Sequence, residues 1–330
     1  MKFNAIVGNP PYQESDGGAG ASARPIYNLF VDLSKQLEPN YISMVMPARW
    51  YAGGKGLDEF REGMLNDYRI AKLVDYPNAN DCFPSVEIKG GVMYFLRSAH
   101  HKGNCLLVSF LESQNPNNAN RYLSEYDILV RFNQLIGVLR KIKEKDSGTL
   151  SDIVSSRKPF GLSTNFNKIQ KNKFQDSVKI YANNEIGWVN VNEIKVNKDL
   201  IGKYKVLISK AYGAGNGFPH QIIGKPIFAD AKTCCTETYL ILGSFSNRLE
   251  ANNLQKYAIT KFVRSLVMLR KNTQDNTKSV FKFVPLQDFT DKSDIDWNKS
   301  ISEIDQQLYK KYGLNVEEVS FIESMIKPMK

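Results

Sequence analysis

The sequence predicts an α/β domain followed by a mixed α+β domain, and two observations support this. In the first third of the chain, short apolar runs alternate with segments whose apolar residues recur at helical spacing, the pattern of a sheet with covering helices. From about residue 150 the pattern changes to short strands separated by Gly- and Asn-rich turns. We therefore assign residues 1–125 to the first domain, 126–149 to a linking helix and 150–330 to the second domain.

The first domain begins with a short strand over Ala5–Val7, which ends at Gly8 and a proline turn. Apolar residues at helical spacing predict a helix over Ile26–Leu37, and the apolar run Tyr41–Met46 predicts a buried strand that Pro47 ends. The polar stretch Ser113–Asn120 is predicted to be a loop. The remaining predictions are a helix over Leu57–Leu65, strands over Ile70–Asp75, Val92–Leu96 and Leu106–Phe110, and an amphipathic helix over Asp127–Lys145.

The second domain is predicted to mix short strands with later helices. Its polar turns and β-branched or aromatic runs are typical of strands, and its longer periodic segments are typical of helices. The predicted strands are Val178–Tyr181, Gly187–Val189, Tyr204–Ile208 and Tyr239–Leu242, and the predicted helical stretches are Leu249–Leu269, Ile301–Tyr312 and Glu317–Ile326.

The charge balance favours an anionic partner. Lys and Arg number 44 against 34 Asp and Glu, a net charge of +10, and nucleic acid is the commonest partner of a basic protein. No apolar run is long enough to span a membrane, and the first residues lack the apolar stretch of a secretory signal. Four cysteines and three histidines without metal-ligand spacing predict no metal site, so we expect a cytoplasmic protein with reduced thiols.

The segment Asn9-Pro10-Pro11-Tyr12 has the chemistry of a clamp for a planar ring that carries an amine. The Asn9 side-chain oxygen and the Pro10 carbonyl can both accept hydrogen bonds from an amine, and the two prolines stiffen the backbone and remove competing donors. Tyr12 supplies a stacking plane just past a strand end, where ligands of open α/β sheets bind. An enzyme that modifies a base amine must extrude and hold the base in this way. The alternative is an ordinary turn stiffened by prolines.

The residues Ile6 to Tyr12 resemble the signature motif of amino-methyltransferases that modify adenine in DNA. The order of the elements that follow resembles the gamma-class, TaqI-like group of restriction-modification systems, with a helix carrying Tyr27, Leu29 and Phe30 and a strand ending in Met46-Pro47-Ala48-Arg49-Trp50. The resemblance covers roughly residues 3–110. It implies a partial Rossmann-like methyltransferase sheet, Asn9, Pro10 and Tyr12 as catalytic residues, and S-adenosylmethionine as the cofactor.

A second base-contacting element is implied by the same resemblance. The stretch Asp81–Val86, followed by Gly90–Phe95, is similar to the family segment that packs an aromatic side chain on the flipped adenine. Phe83 is the matching position, and we expect Phe83 and Tyr12 to stack on the base. The alternative is that Phe83 is a core residue of a loop.

One departure from the family concerns the cofactor. The family places a glycine-containing loop and two acidic positions for S-adenosylmethionine before its signature motif, whereas only eight residues precede Asn9 here. The glycine cluster over residues 53–56 lacks a phosphate-loop pattern and is interpreted as a plain loop. We therefore expect a C-terminal portion of a methyltransferase that does not methylate alone and that has an upstream segment or subunit as its partner.

The part after residue 150 resembles, in architecture, the target-recognition domain of these enzymes, which implies double-stranded DNA as a partner. Basic residues interleaved with aromatic and amide side chains suit groove contact, whereas the alternative is a solvated charged face. The candidate DNA-binding residues are Lys168, Lys171, Lys210, Tyr212, Arg264 and Lys271.

Two competing functions remain open at this point. Asp75, Glu87 and Lys89 match the short carboxylate, carboxylate and lysine pattern of many restriction nucleases, a pattern that also occurs often by chance. The other alternative is a non-catalytic DNA-binding specificity module that retains a methyltransferase relic.

Overall fold

The chain divides into two compact units, Met1–Ile136 and Gly137–Lys330. No helix in the described part of the chain is long and apolar enough to cross a membrane. The structure is a computed structural model, and it describes residues 3–14, 24–54, 56–85, 88, 90–111, 116–145, 148–183, 185–213 and 218–329.

A six-stranded mixed sheet organises the first unit, with strand order β1-β2-β4-β3-β5-β6. Strand β1 is parallel to β2 and β3 is parallel to β5, whereas β4 is antiparallel to both of its neighbours. The carboxyl ends of β1, β2, β3 and β5 therefore lie at the same edge of the sheet. The strands are β1 (Ala5–Gly8), β2 (Tyr41–Pro47), β3 (Ile70–Tyr76), β4 (Val92–Ser98), β5 (Cys105–Ser109) and β6 (Asn117–Arg121).

Two helices, α1 (Tyr27–Gln36) and α2 (Asp58–Leu65), contribute to the core beside this sheet. Tyr27 and Val31 of α1 and Phe60 of α2 are buried in one apolar cluster with alternate residues of β2. This alternation follows from the two-residue period of a strand, which turns every second side chain to the same face. The predicted strands and helices of residues 3–111 are thereby confirmed, and the sheet is mixed rather than all parallel.

The outer edge of β1 and the outer side of α1 are exposed. Within the described residues, β1 pairs with β2 alone, and the Val7 side chain is 78% exposed. Helix α1 places Leu29, Phe30 and Leu33 at the surface, although all three are large and apolar.

Two predictions for the region after β5 were wrong. The predicted polar loop contains strand β6, because an edge strand can pair through its backbone whatever its side chains are. The predicted helix over Asp127–Lys145 is replaced by irregular chain followed by α3, which spans Ile136–Glu144. The backbone N–H of Leu129 donates to the carbonyl of Tyr51 at 2.9 Å, and the consecutive residues 128–130 are all buried. Tertiary contacts therefore outweigh helical periodicity in this segment.

The second unit contains two three-stranded sheets, ordered β10-β9-β12 and β11-β7-β8, which share an apolar cluster that includes Phe160, Leu207 and Ile241. The helical stretch predicted over Leu249–Leu269 divides at Thr260, whose hydroxyl caps the second helix by accepting from the Val263 N–H. The strands are β7 (Ser177–Ala182), β8 (Glu185–Asn190), β9 (Tyr204–Ser209), β10 (Ile227–Ala229), β11 (Thr233–Cys235) and β12 (Tyr239–Phe245), and the helices are α4 (Arg248–Ile259), α5 (Lys261–Arg270), α6 (Ile301–Lys311) and α7 (Val316–Met325).

Candidate functional site

An open pocket of about 430 Å³ lies at the carboxyl end of β1 in the first unit. The four consecutive residues of the predicted clamp follow β1 directly. Phe83 is distant from them in sequence but lines the same pocket. Every lining side chain among the described residues is uncharged, which suits a neutral planar ligand. The lining residues are Asn9, Pro10, Pro11, Tyr12, Gln13, Phe83 and Ile88.

The clamp is held between β1 and α1 by backbone contacts. Asn9 is exposed and Pro10 is buried, so the amide side chain is accessible while the proline packs inward. The carbonyl of Tyr12 accepts a hydrogen bond from the N–H of Ile26 at 3.3 Å, and Gln13 forms an isolated bridge with Pro25. These contacts hold the C-terminal end of the clamp beside α1, and its N-terminal end continues directly from β1.

Tyr12 is half-buried in the pocket, and its hydroxyl has no hydrogen-bond partner among the described residues. Burial raises the pKa of the Tyr12 phenol above its ordinary value, and the nearby Cys82 thiol adds to this effect. The phenol is therefore neutral at physiological pH and can serve as a stacking surface with a free polar end.

Phe83 reaches the pocket from the segment between β3 and β4. Its backbone N–H donates to the carbonyl of Ala79 at 2.8 Å, and the Asn78 side chain caps the short turn over Ala79–Asp81. Phe83 is half-buried, so part of its ring is accessible to a ligand. The segment continues to Ile88, which also lines the pocket.

The sequence reasoning missed Gln13 and Ile88 as pocket residues. Gln13 directly follows the clamp, so its position next to Tyr12 was a usable signal. Ile88 lies in a segment without periodicity, and its place in the pocket depends on the path of the chain between β3 and β4.

The candidate DNA-binding residues of the second unit do not share one environment. Lys168 and Lys171 are exposed, and the Lys168 ammonium pairs with Glu193 at 3.0 Å. Lys210 and Tyr212 are half-buried, and they precede residues 214–217 of the glycine-rich loop, which lie outside the described residues.

Arg264 and Lys271 are bonded within the fold, which argues against the DNA contacts predicted for them. Arg264 is 1% exposed, and its guanidinium donates to the carbonyls of Ile259, Thr260, Gln221 and Lys327. The Lys271 ammonium donates to the carbonyls of Tyr212, Thr273 and Gln274. Burial lowers the pKa of Lys271 to about 8, opposed by the charge of Asp275.

The nuclease alternative receives no support from the described residues. Asp75 is fully buried and lies 2.8 Å from the Arg131 guanidinium, so its carboxylate is paired within the fold. Glu87 and Lys89 lie outside the described residues. No group of three His, Cys, Asp or Glu side chains within the described part of the chain could hold a metal ion.

The glycine cluster over residues 53–56 packs against its own neighbours and does not form a ligand cradle. The Arg61 guanidinium donates to the carbonyl of Gly53 at 3.0 Å, and a side chain at Gly54 would meet Leu57 at 2.5 Å. Lys55 lies outside the described residues.

Comparison with known proteins addresses the resemblance seen in the sequence. Residues 1–83 match the family described as Eco57I restriction-modification methylase. The N-terminal part of the chain is thus similar to restriction-modification methylases of this family. An adenine-specific methylase of Mycoplasma pneumoniae, itself uncharacterized, is 36% identical over 110 residues, and the match covers 32% of this chain and 26% of that protein. The chain therefore matches about a quarter of the length of this relative.

Two solved structures are similar over nearly the whole chain. The type IIL restriction-modification enzyme MmeI, solved with DNA, is 11% identical with a TM-score of 0.45, over 97% of this chain and 56% of MmeI. The type IIG restriction endonuclease BpuSI is 13% identical with a TM-score of 0.37, over 97% of this chain and 52% of BpuSI. Both scores are low, so no feature of these enzymes is transferred to this chain.

Proposed function

We propose that the chain supplies the adenine-binding part of a site-specific DNA methyltransferase that acts within a restriction-modification system. The reaction is methyl transfer from S-adenosylmethionine to the exocyclic amine of an adenine flipped out of duplex DNA. The observation that carries this proposal is that Asn9, Pro10 and Tyr12 line one pocket with Phe83, and that the described lining is uncharged.

Each proposed role follows from the chemistry of the side chain. The Asn9 side-chain oxygen and the Pro10 carbonyl accept hydrogen bonds from the two N–H groups of the adenine amine, which fixes the orientation of its lone pair. Tyr12 and Phe83 stack on the base, an interaction worth about 1–3 kcal/mol per base. Because the described lining is uncharged, it does not attract ions that would compete with a neutral base for the pocket.

The methyl donor is proposed to bind outside the residues described above. The glycine cluster at Gly53 and Gly54 is occupied by contacts with Arg61 and Leu57, so it does not fit S-adenosylmethionine. We propose an upstream segment or a separate subunit as the partner that holds it. Calorimetry with the isolated chain tests this point, because micromolar binding of S-adenosylmethionine would contradict it.

Duplex DNA is the proposed substrate, with Lys168 and Lys171 as contacts to the phosphate backbone and Lys210 and Tyr212 as further candidates. The net charge of +10 favours association with DNA in general. The two exposed lysines have ammonium groups near solvent, as a phosphate contact requires.

The decisive experiment is methylation by the assembled enzyme. The chain is produced with the polypeptide that carries the cofactor motif, in a host without adenine methylation, and modified adenines are mapped by long-read sequencing of the host DNA. Wild type is expected to mark one recurring sequence. Tyr12→Ala is expected to lower methylation at least about tenfold because it removes a stacking surface, whereas Tyr12→Phe retains most of it. Full methylation by Tyr12→Ala would reject the clamp assignment.

The second candidate is a non-catalytic DNA-binding specificity module, and the lack of a fitted cofactor cradle among the described residues favours it. The same experiment separates the two functions. Binding of one DNA sequence without any methylation, in the presence of the partner polypeptide and S-adenosylmethionine, would support the module.

A further inference from the structure

Two pocket residues, Phe83 and Ile88, belong to the segment that connects β3 to β4, so the pocket keeps its shape only if this segment is held in place. The segment ends at Gly90 and Gly91, which both have a left-handed backbone, with φ of 91° and 82°. Gly91 has no room for a side chain, since a Cβ atom there would lie 2.3 Å from the carbonyl oxygen of Tyr76. The two consecutive glycines lead directly into β4.

Arg131 bonds to the first of these two glycines and to β3. Its Nη2 donates to the carbonyl of Gly90 at 2.5 Å and to Asp75 at 3.1 Å, and its Nε lies 2.8 Å from the second Asp75 oxygen. Asp75 is near the carboxyl end of β3 and is fully buried. The guanidinium therefore connects Gly90, at the end of the pocket segment, to a buried residue of the sheet.

The chain around Arg131 is itself anchored. Residues 128–130 are buried, and the N–H of Leu129 donates to the carbonyl of Tyr51. The Arg131 guanidinium also lies 5.1 Å from the centre of the Tyr51 ring, a cation–π distance. Arginine suits this role because its planar fork can bond a carboxylate and a carbonyl at the same time, which lysine does less well.

We propose that Arg131 is a positioning residue that sets the Phe83–Ile88 wall of the base pocket through its link from Asp75 to Gly90. It does not line the pocket, and it acts on the ligand only through that wall. The proposal rests on the proposed function for its ligand, adenine, but the positioning itself is measurable in the chain without DNA.

A matched control exists at the opposite edge of the same sheet. Arg97 pairs with Asp67 at 2.9 Å, and the two side chains are 3% and 5% exposed. This pair is comparable in type and burial, but it does not contact the segment between β3 and β4 that carries Phe83. Arg97→Lys therefore weakens a buried ion pair without releasing the pocket wall.

The first measurement is amide hydrogen exchange in the isolated chain. Arg131→Lys is expected to accelerate exchange in the segment 77–91 about tenfold or more relative to wild type, while Arg97→Lys leaves that segment protected. If Arg131→Lys does not fold, the neutral double variant Asp75→Asn with Arg131→Gln takes its place. Unchanged protection of the segment 77–91, or equal acceleration by Arg97→Lys, would overturn the proposal.

The second measurement uses the assembled methyltransferase. Arg131→Lys is expected to raise the KM for DNA about tenfold and to leave kcat nearly unchanged, because the wall binds the base and performs no chemistry. A loss of kcat at constant KM would contradict the proposed role. If the wild-type assembly shows no methylation while the exchange effect is present, the proposed function fails and the positioning by Arg131 stands.

Discussion

The residues described in the pocket of the first unit are all uncharged, whereas the candidate cationic side chains of the second unit fall into two groups. Lys168 and Lys171 are exposed, but Arg264 and Lys271 are held by backbone carbonyls. The pocket residues are candidates for a binding role because they line the same pocket. The role of a cationic side chain, by contrast, depends on its environment. A buried one stabilises the fold, and an exposed one is available to a ligand.

The largest effect that tests this contrast is expected at Arg264. Arg264→Ala leaves four carbonyls without their donor in a buried region, so the free energy of unfolding of the second unit should fall by about 3–5 kcal/mol. Denaturant unfolding followed by tryptophan fluorescence measures the loss. Lys171→Ala is the control, and its unfolding should match that of wild type. A fully stable Arg264→Ala would mean that this arginine is not structural.

A smaller effect is expected at the pocket wall. Phe83→Ala removes one stacking surface and should weaken binding of the target DNA by the assembled enzyme about tenfold to a hundredfold. Phe30→Ala is a matched control, since Phe30 is an exposed phenylalanine of α1 outside the pocket. Equal loss in both variants would show that Phe83 acts on the fold rather than on the base.

Charge also has a structural role in the first unit. Burial raises the pKa of Asp67, but hydrogen bonds from Arg69 and Arg97 and the charge of Lys35 outweigh it and bring the pKa down to about 2. Ionised Asp67 therefore stabilises the fold above the ordinary carboxyl pKa, and this stability is lost as the pH falls toward 2.

Asp67→Asn should accordingly lower the free energy of unfolding by about 1–2 kcal/mol at pH 7, and the difference from wild type should shrink below pH 4. Urea unfolding across this pH range measures it. Asp58→Asn is the control, because Asp58 is 81% exposed and its pair with Arg61 should contribute little. If the two free energies of unfolding differ by the same amount at all pH values, the effect of Asp67→Asn comes from packing and not from the charge.

The smallest effect is expected for a single exposed lysine. Lys171→Ala should reduce the slope of log affinity against log salt by about 0.9, the value for one phosphate contact. DNA binding measured between low and moderate salt gives this slope. Lys179→Ala is a control for net charge, since the Lys179 ammonium lies over the ring of Tyr181. An unchanged slope in Lys171→Ala would remove Lys171 from the proposed DNA surface.

Sequence reasoning located the residues whose chemistry is local. Asn9, Pro10 and Tyr12 belong to one run of four residues, so once a strand precedes them their convergence follows from the backbone. Phe83 could be added because its segment resembles a known element. The strands and helices of the first unit were also predictable, since their apolar residues recur with the period of each structure.

Contacts between residues distant in sequence could not be predicted from these local patterns. Arg131 bonds a carboxylate 56 residues away and a carbonyl 41 residues away, and no local pattern marks either contact. The apolar residues before α3 have helical spacing, yet the chain around Leu129 is irregular, and the Tyr51 carbonyl accepts the Leu129 N–H. Burial of Arg264 was equally hidden, because its neighbours in sequence are typical of an amphipathic helix.

The exposed edge of β1 has a practical consequence for work with this chain. Within the described residues this edge has no partner strand, and α1 exposes large apolar side chains; both features favour association between molecules. Purified protein is therefore expected to self-associate as its concentration rises, and charged substitutions at Val7 or Leu33, both exposed, should reduce this without disturbing the core. Light scattering of such variants would show whether poor solution behaviour, if met, begins at this edge of the sheet.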